Sequence, residues 1–444
     1  MDFSLLPHQE ETLTFIKENK RCLILSEMGT GKTLPILKLA YELSLKGEKS
    51  LFICPAFLTK NLESEARKFF PRLGTLIVDK NTSADSFRRG SKSVAIMSYE
   101  RMKKCPEFFK EVSCVVFDEA HKIVNPKAGI TQAAHYYTDK APKLKYLVGM
   151  TGTPLMNKVP DLFSLLALIN KDNFLDKYES YWKFCEHFTF KRIDRIAGRQ
   201  VIKFEGLKNE KELKRELKKA SMRHTLKDIG RLPVLKTREV DLACKVPAKK
   251  EKEFKDAWSN YSKYADLEDD LNPSYMTMKA FYANLKVKGT VEFSKNLIEE
   301  APDDFVLILT DHVLAARNIA EALNAPCITG EMEATSRFEI AERFQSGGGG
   351  KYLVGTIKAL GVGLTLTKAN RLVFNDLAWN PATNNQAIGR ILRLNQDKDC
   401  FVYQMNATEV DKNIMEKNME KGGLIEILID DTFNREEYEF VRYL

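Results

Sequence analysis

Residues 22–33 read CLILSEMGTGKT, an apolar run followed by a loop with two glycines and a Lys-Thr pair. The next residues, LPILKLAYELSLK, have the apolar spacing of an amphipathic helix. A strand, a glycine-bearing loop and a helix in this order form a phosphate cradle, because backbone N–H groups and the helix N-terminus point at the anion. This stretch predicts a nucleotide-binding α/β sheet, although the strict pattern has glycine where this chain has Ser26.

The polar residues of this loop have predicted roles in holding a nucleoside triphosphate. Glycines let the backbone N–H groups turn inward, the lysine reaches the β- and γ-phosphate oxygens, and the threonine hydroxyl ligates Mg²⁺. The predicted residues are Gly29, Thr30, Gly31, Lys32 and Thr33.

Short apolar runs recur in two groups along the chain. The first group is CLIL (22–25), LFIC (51–54), VAIM (94–97), CVVF (114–117) and YLVG (146–149). The second is FVLIL (305–309), PCIT (326–329), YLVGT (352–356), RLVFN (371–375) and CFVYQ (400–404). Continuous apolar strands that alternate with amphipathic helices predict parallel sheets covered on both faces.

We therefore predict an α/β protein of two lobes. The first covers residues 1–235, with a helical and hairpin insertion at about 160–235, and the second covers 236–444, with a helical insertion at about 245–290. A length of 444 residues agrees with two domains rather than one core.

An acidic pair follows the run CVVF, in the sequence Asp118-Glu119-Ala120-His121. The carboxyl end of a parallel strand lies at the ligand edge of such a sheet. Asp118 is predicted to hold Mg²⁺ directly or through water, and Glu119 to orient and deprotonate the attacking water. Together with the phosphate loop, this pair predicts a nucleoside triphosphatase.

Bulk composition excludes several other classes of protein. The sequence has no basic leader followed by an apolar run, and no stretch reaches the ~18 apolar residues of a membrane span. We expect a soluble intracellular protein without a membrane partner, in the cytoplasm or, if viral, the host cytoplasm. The eight dispersed cysteines predict neither disulfides nor zinc.

The positive charge of the chain is local. Net charge is +8, and residues 201–250 account for all of it, with 15 Lys/Arg against 7 Asp/Glu. A polyanion partner is one interpretation. A lysine-rich exposed helix in NEKELKRELKKA, with Leu213 and Leu217 turned inward, is an equally good one.

Another cationic pattern lies within AWNPATNNQAIGRILRLNQ, residues 378–396, where Gln386, Arg390 and Arg393 are spaced i, i+4 and i+7. On a helix these side chains share one face. A solvated basic face is the usual explanation, and binding of an anion is the alternative.

Motifs in a fixed order carry a resemblance to superfamily-two helicases. They are LPHQ (6–9), EMGTGKT, FICPAFLTKNLESEARKF, VAIMSYERM, DEAH, LVGMTGTPLMNKVPDLFSLL and VGTIKALGVGLTLTKANRLVFNDLAWNPATNNQAIGRILRLNQ. TGTPLMN with DLFSLL, and AWNP with the Q-x-x-x-R-x-x-R-x-x-Q ending, resemble the Swi/Snf group of double-stranded DNA translocases. The resemblance implies two RecA-like lobes with ATP bound in the cleft between them.

The resemblance also implies roles for single residues. Gln9 would contact the adenine, and Arg390 and Arg393 would be arginine fingers on the γ-phosphate, with Gln386 beside them. The residues implied to couple hydrolysis to DNA are His121, Thr151 and Thr153. The implied DNA phosphate contacts are Lys60, Ser98, Tyr99, Thr310, Arg337 and Thr356, each of which could equally be a structural polar residue.

A basic hairpin is predicted in KRIDRIAGRQVIKF, residues 191–204, with Ala197-Gly198 at its turn. Arg195 and Arg199 are candidate DNA contacts of a strand-separating pin. An ordinary surface hairpin is the alternative.

The predicted function is that of a DNA-stimulated ATPase, a translocase or helicase that remodels duplex, forked or branched DNA, presumed monomeric. The chain departs from the strict phosphate-loop pattern at Ser26. It departs from the Swi/Snf pattern at Arg223-His224, where the group has paired arginines, and at Leu392-Arg393-Leu394-Asn395-Gln396. It also lacks the long insertions of chromatin remodellers, so it resembles compact phage branch-migration helicases and annealing helicases. A conventional helicase, including an RNA helicase, and a nucleotide-gated motor that opens no strands are the alternatives.

Overall fold

The computed structural model of the chain describes residues 4–152, 158–196, 199–226, 228–229, 233–250, 252–253, 256, 273–360, 364–378, 380–393, 396–407 and 411–412. The chain divides into two compact units. The first lies within 1–192 and 204–230, and the second within 193–203 and 231–427. Each contains its own parallel sheet, so the predicted fold class of two α/β lobes is confirmed.

The first sheet has seven strands in the order β3-β4-β2-β5-β6-β1-β9, and every adjacent pair is parallel. The strands are β1 (Arg21–Ile24), β2 (Ser50–Cys54), β3 (Thr75–Ile77), β4 (Val94–Ser98), β5 (Cys114–Asp118), β6 (Tyr146–Met150) and β9 (Ser221–Met222). All five predicted apolar runs are strands of this sheet. β3 and β9 were not predicted, because they have only three and two residues.

Helices cover both faces of the first sheet. They are α1 (Pro7–Asn19), α2 (Thr33–Leu45), α3 (Thr59–Phe69), α4 (Ala84–Arg89), α5 (Tyr99–Met102), α6 (Gly129–Asp139), α7 (Leu162–Ile169), α8 (Lys171–Tyr178), α9 (Tyr181–Phe188) and α10 (Glu210–Ala220). Alternate strand residues such as Cys22, Phe52 and Val116 pack with α1, α2 and α3. Their neighbours Leu23, Ile53 and Val115 are fully buried on the other face. This explains why the strands read as continuous apolar runs.

The second sheet has six strands in the order β10-β15-β14-β11-β13-β12, again parallel throughout. The strands are β10 (Leu235–Asp241), β11 (Val306–Thr310), β12 (Cys327–Ile328), β13 (Tyr352–Thr356), β14 (Arg371–Phe374) and β15 (Cys400–Asn406). The second group of apolar runs supplies five of them. The edge strand β10 was not predicted because Leu235 and Val240 are its only apolar residues.

The helices of the second unit are α11 (Pro273–Glu300), α12 (Val313–Leu323), α13 (Ala334–Gln345), α14 (Ile357–Leu360) and α15 (Pro381–Ile391). Val306, Ile308 and Val354 pack in one cluster with apolar residues of α11 and α12. Ion pairs inside this unit include buried Lys286 with Asp411.

The predicted hairpin is present as a two-stranded sheet of β7 (Phe190–Ile196) and β8 (Arg199–Glu205). Its predicted turn, Ala197-Gly198, lies outside the described residues.

All eight cysteines are free thiols. Six are buried, and Cys244 and Cys327 are partly exposed. In the described part of the chain, no helix is long and apolar enough to span a membrane.

Candidate active site

The phosphate loop lies between β1 and α2, at the carboxyl edge of the first sheet. Gly29 and Gly31 have positive φ values of 87° and 76°. A Cβ atom on Gly31 would lie 2.4 Å from Nε2 of Gln9. A side chain at position 31 would be strained in this backbone conformation and would displace the Gln9 amide.

Residues of α1 hold the loop from one side. Nε2 of Gln9 donates to the carbonyl oxygen of Gly31 at 3.3 Å. Nε2 of His8 lies 2.8 Å from the carbonyl oxygen of Thr30. The structure thus brings Gln9 to the phosphate loop, while its predicted contact with adenine stays a prediction.

Lys32 lies at the end of the loop and faces two carboxylates. Its Nζ donates to the carbonyl oxygen of Glu27 at 2.8 Å. Loss of solvent lowers the pKa of Lys32 to about 8, against the opposing charges of Glu119 and Asp118. The lysine is therefore desolvated where a phosphate would supply a strong counter-charge. Thr33, the predicted metal ligand, is the first residue of α2.

The acidic pair stands at the carboxyl end of β5, as predicted. Burial and the neighbouring charge of Glu119 raise the pKa of Asp118 to about 7, although the Lys32 ammonium opposes the shift. Oδ1 of Asp118 accepts from the backbone N–H of Glu119 at 3.0 Å. Glu119 has a left-handed backbone, with φ 54°. A non-glycine residue in that region is strained, and such strain is often found at functional positions.

His121 connects the acidic pair to the end of β6. Its Nδ1 lies 3.3 Å from Oε2 of Glu119 and 3.1 Å from Oγ1 of Thr151. The backbone N–H of Thr151 donates to Ile24 at the end of β1. Of the predicted coupling residues, His121 therefore contacts the predicted base, and Thr151 contacts His121. Thr153 lies outside the described residues.

A segment 200 residues later in the chain extends the sheet alongside the phosphate loop. β9 pairs with β1, and the ladder continues because Leu25 N–H donates to Met222 and Glu27 N–H donates to His224. Oγ of Ser26 accepts from the backbone N–H of His224 at 3.0 Å. Ser26, the departure from the strict loop pattern, thus supplies an acceptor for this segment.

Side chains reinforce the same contact. Nη1 of Arg223 donates to the carbonyl oxygen of Leu25 at 2.8 Å, and its Nη2 lies 3.5 Å from Oε1 of Glu27. Oε2 of Glu27 accepts from the backbone N–H of Leu226 at 2.7 Å. The sequence pattern predicts no role for Glu27, and it marks Arg223-His224 only as a departure from the family. We call residues 221–226 the loop brace.

The cationic pattern of the second unit begins on α15, where Arg390 is buried. Arg390 is 3% exposed, and its Nη1 donates to the carbonyl oxygen of Leu364 at 3.3 Å. Arg393 lies beyond the helix, which ends at Ile391, so the prediction of three residues on one helical face is wrong for it. Its Nη1 donates to Oγ1 of Thr365 at 2.8 Å. The solvated-face interpretation is therefore wrong for Arg390, while the nucleotide role of both arginines and of buried Gln386 stays a prediction.

The predicted DNA contacts of the first unit follow strand ends at its carboxyl edge. Lys60 is exposed at the start of α3. Ser98 ends β4, and its side chain caps α5 by accepting from Arg101 N–H at 3.1 Å. Tyr99 is 2% exposed, and its hydroxyl donates to the carbonyl oxygen of Asp118 at 2.8 Å. Tyr99 thus supports the acidic pair in this structure.

In the second unit, Thr310 and Thr356 end β11 and β13 and are buried. Thr310 donates to Asp376, which also accepts from Asp311 N–H at 3.0 Å. Arg337 is half-buried on α13. The backbones of Arg195 and Arg199 lie in β7 and β8, and their side chains are outside what the structure describes.

Residues 8–292 match the SNF2-related domain, which is more than half of the chain. The chain belongs to the SNF2-related family. Residues 289–395 of this SNF2-related protein match the helicase conserved C-terminal domain. The resemblance to Swi/Snf-like superfamily-two helicases is therefore confirmed.

Two relatives of the SNF2-related chain align over nearly all of it. A Caenorhabditis elegans homologue of SWI/SNF-related matrix-associated actin-dependent regulator of chromatin subfamily A-like protein 1 is 26% identical over 99% of the chain. A Drosophila pseudoobscura DNA repair and recombination protein RAD54-like is 24% identical over 98%. The chain spans 64% and 65% of the lengths of these relatives.

Among solved structures, the chain is similar to the Sulfolobus solfataricus SWI2/SNF2 ATPase core in complex with double-stranded DNA. Identity is 23%, with 99% of this chain and 97% of that chain covered and a TM-score of 0.44.

The residues around the phosphate loop fit a magnesium nucleotide. A desolvated ammonium, a threonine hydroxyl and two carboxylates occupy one sheet edge, and Gly31 leaves no side chain between the loop and Gln9. Lys32 would hold phosphate oxygens, while Thr33 and Asp118 would hold Mg²⁺. Bound Mg²⁺ would neutralise phosphate charge. Membership of the family supports ATP use at this site.

Proposed function

We propose that the chain is an ATP-driven DNA translocase that remodels branched DNA. The proposed ATPase activity rests on one observation. Lys32, Asp118 and Glu119 lie together at one sheet edge of a SNF2-related domain. Asp118 would hold Mg²⁺, Glu119 would take a proton from the attacking water, and His121 would orient Glu119.

Contacts with the DNA backbone supply the track for translocation. Most of the candidate phosphate contacts, such as Lys60, Ser98 and Thr356, lie at the carboxyl edges of their own sheets. Backbone contacts suit a motor that must pass any sequence, because they carry no base readout. His121 and Thr151 couple DNA binding to hydrolysis, because their side chains are hydrogen-bonded and His121 also contacts Glu119.

A branched substrate is supported by two points. One relative is named for DNA repair and recombination, and the sequence resembles compact branch-migration and annealing helicases. The basic hairpin of β7 and β8 would act as the pin that parts strands at a junction.

ATPase assays with linear duplex, single-stranded, forked and RNA cofactors test this function. We expect DNA to stimulate hydrolysis, and the stimulation to fall as salt rises, because phosphate contacts release counterions. Lys32→Ala should abolish turnover, whereas Glu119→Gln should bind ATP and turn over poorly. Wild-type turnover by purified Glu119→Gln would show that Glu119 is not the general base.

The same assays separate the alternatives. Equal stimulation by an RNA duplex would favour an RNA helicase. DNA-stimulated hydrolysis without branch migration or fork unwinding would favour a motor that opens no strands. Loss of branch migration with intact ATPase in Arg195→Ala/Arg199→Ala would support the pin, and a proportional loss of both would reject it.

A further inference from the structure

A row of five cations runs along one side of α10. Its members are Lys211, Lys214, Arg215, Lys218 and Lys219, at spacing i, i+3, i+4, i+7 and i+8. They line a surface depression of about 440 Å³. We call this row the cationic stripe.

The rest of the helix surface is used for folding. Leu213, Leu217 and Ala220 are buried. Glu212 and Glu216 pair with Lys177 of α8 at 2.8 Å and 2.9 Å. The carboxylates of these two residues are thus directed toward α8, and the cations are gathered on another side.

A second depression continues the cationic surface. It measures about 470 Å³ and is lined by Asn19, Lys20, Arg21, Lys145, Ile169, Asn170, Lys219 and Ala220. Lys219 belongs to both depressions. Glu210 pairs with Lys214 and Glu48 with Lys145, which neutralises part of the charge. We call the stripe together with Lys20, Arg21 and Lys145 the cationic face.

The cationic stripe is unfavourable for the helix itself. Lys211–Arg215, Lys214–Lys218 and Arg215–Lys219 are like-charge pairs at i, i+4, which destabilise a helix. Lys211 lies in the first turn, where the helix dipole disfavours a cation. The helix dipole favours cations only in the last turn, which contains Lys218 and Lys219. The arrangement therefore has a cost in folding that an anionic partner would offset.

The end of the cationic face that contains Arg21 and Lys145 lies at the edge of the first sheet opposite the phosphate loop. Arg21 is the first residue of β1, and Lys145 immediately precedes β6. The candidate phosphate contacts Lys60 and Ser98 follow the opposite ends of strands in the same sheet. DNA that lies along the carboxyl edge therefore leaves the cationic face available to another segment.

We propose that the cationic face binds a second DNA duplex segment, the other arm of a branched substrate, an assignment that rests on the proposed translocase function. The stripe covers eight residue steps, or about 12 Å of helix. Over that length a duplex presents about seven phosphate charges. Short duplex DNA is too stiff to bend easily from one sheet edge to the other, whereas a junction presents a second arm without bending.

The test replaces Lys211, Arg215 and Lys219 with Gln in the full chain. Glutamine keeps helix propensity, and two like-charge pairs are removed, so the unfolding temperature should stay equal or rise. Affinity for a forked DNA should fall about tenfold or more at ~0.15 M salt, with a shallower salt dependence. Linear-duplex affinity and linear-duplex-stimulated ATPase should stay within about twofold.

A matched control replaces three other exposed cations of the first unit, Lys80, Arg89 and Lys92, with Gln. It should not change the preference for forked DNA. A second variant, Arg21→Gln with Lys145→Gln, tests the adjoining depression without altering α10 and should shift fork affinity in the same direction.

Three results would overturn the assignment. They are unchanged fork affinity in both variants, an equal loss on forked and linear DNA, and an equal loss on a forked RNA. Failure of the proposed function is separate, because it would show as a wild-type ATPase that linear DNA does not stimulate, while fork binding could still be compared between variants.

Discussion

At the scale of single residues, a departure from the phosphate-loop pattern and a departure from the family pattern lie in contact. Ser26 replaces the first glycine of the phosphate loop, and His224 replaces one of two arginines. The Ser26 hydroxyl accepts from the His224 backbone N–H, and Arg223 bonds the carbonyl oxygen of Leu25. The sequence showed both substitutions but not the hydrogen bond between them, because 198 residues separate the two positions.

Replacing Ser26 with Gly restores the common loop residue but should weaken the site. It leaves the backbone N–H of His224 without its acceptor, which costs about 1–3 kcal/mol when the donor is buried. We expect ATP affinity to fall several-fold in equilibrium binding measurements. Ser44→Ala, which removes a hydroxyl bonded within α2, is the control. Unchanged or tighter ATP binding by Ser26→Gly would show that the loop brace does not position the loop.

At the scale of elements, α10 is fixed by a cluster of ion pairs. Glu212 of α10 accepts from Nζ of Lys177 at 2.8 Å, from Nε2 of His187 at 2.9 Å and from the Tyr178 hydroxyl at 3.1 Å. Hydrogen bonds from Lys177 and His187 lower the pKa of Glu212 to about 2. This cluster directs one side of α10 to its neighbours, and so determines which side carries the cationic stripe.

Glu212→Gln should destabilise the first unit in a pH-dependent way. The folded pKa is lower than the ordinary value of 4.5, so the carboxylate stabilises the fold above about pH 4.5, and this is lost as pH falls toward 2. Because Glu212 is partly exposed, screening limits the effect to about 1 kcal/mol at pH 7. Urea unfolding of wild type and variant between pH 7 and pH 3 measures it.

The control for that series is Glu63→Gln, which breaks the exposed pair with Arg67. It should change stability by less than about 0.5 kcal/mol at any pH. A pH-independent loss in Glu212→Gln would mean that packing around the side chain, and not its charge, fixes α10.

Elements with a strong local pattern were predictable, and those that depend on distant partners were not. The ten apolar runs became strands because both faces of each sheet are covered. β9 has two residues, and it exists because β1 offers a free edge for residues 221–222. The end of α15 at Ile391 was also missed, since Arg393 turns to bond Gly389 and Thr365 instead of continuing the helix.

At the scale of the whole molecule, two sheets of the same kind are joined in one chain, and the family match extends across both. The ATP-binding candidates lie in the first unit and the arginine candidates in the second. The order of the motifs along the sequence was enough to predict which unit contains each group of candidate residues. It could not show that Arg390 is bonded to Leu364 within its own unit.

Arg390→Gln and Arg393→Gln should each lower kcat by about 10²-fold or more if the arginines act on the γ-phosphate. DNA affinity without nucleotide should be nearly unchanged. Steady-state ATPase and DNA binding measure the two effects. Because both arginines bond the backbone at Leu364, thermal unfolding must accompany the kinetics.

Arg343→Gln, on an exposed part of α13, is the matched control and should leave kcat unchanged. A loss of DNA affinity with intact hydrolysis in the Arg390 and Arg393 variants would instead show that these arginines bind DNA.

The buried thiols make site-specific labelling of the molecule straightforward. Burial raises the pKa of every cysteine in the chain, to about 12 for Cys22, Cys114 and Cys400. The thiolate is the species that reacts with maleimides, so these side chains should react slowly in the folded protein at neutral pH. A fluorescent dye pair on cysteines introduced at exposed Lys80 and Lys288 could therefore follow the distance between the two units through a catalytic cycle, without first removing the six buried cysteines.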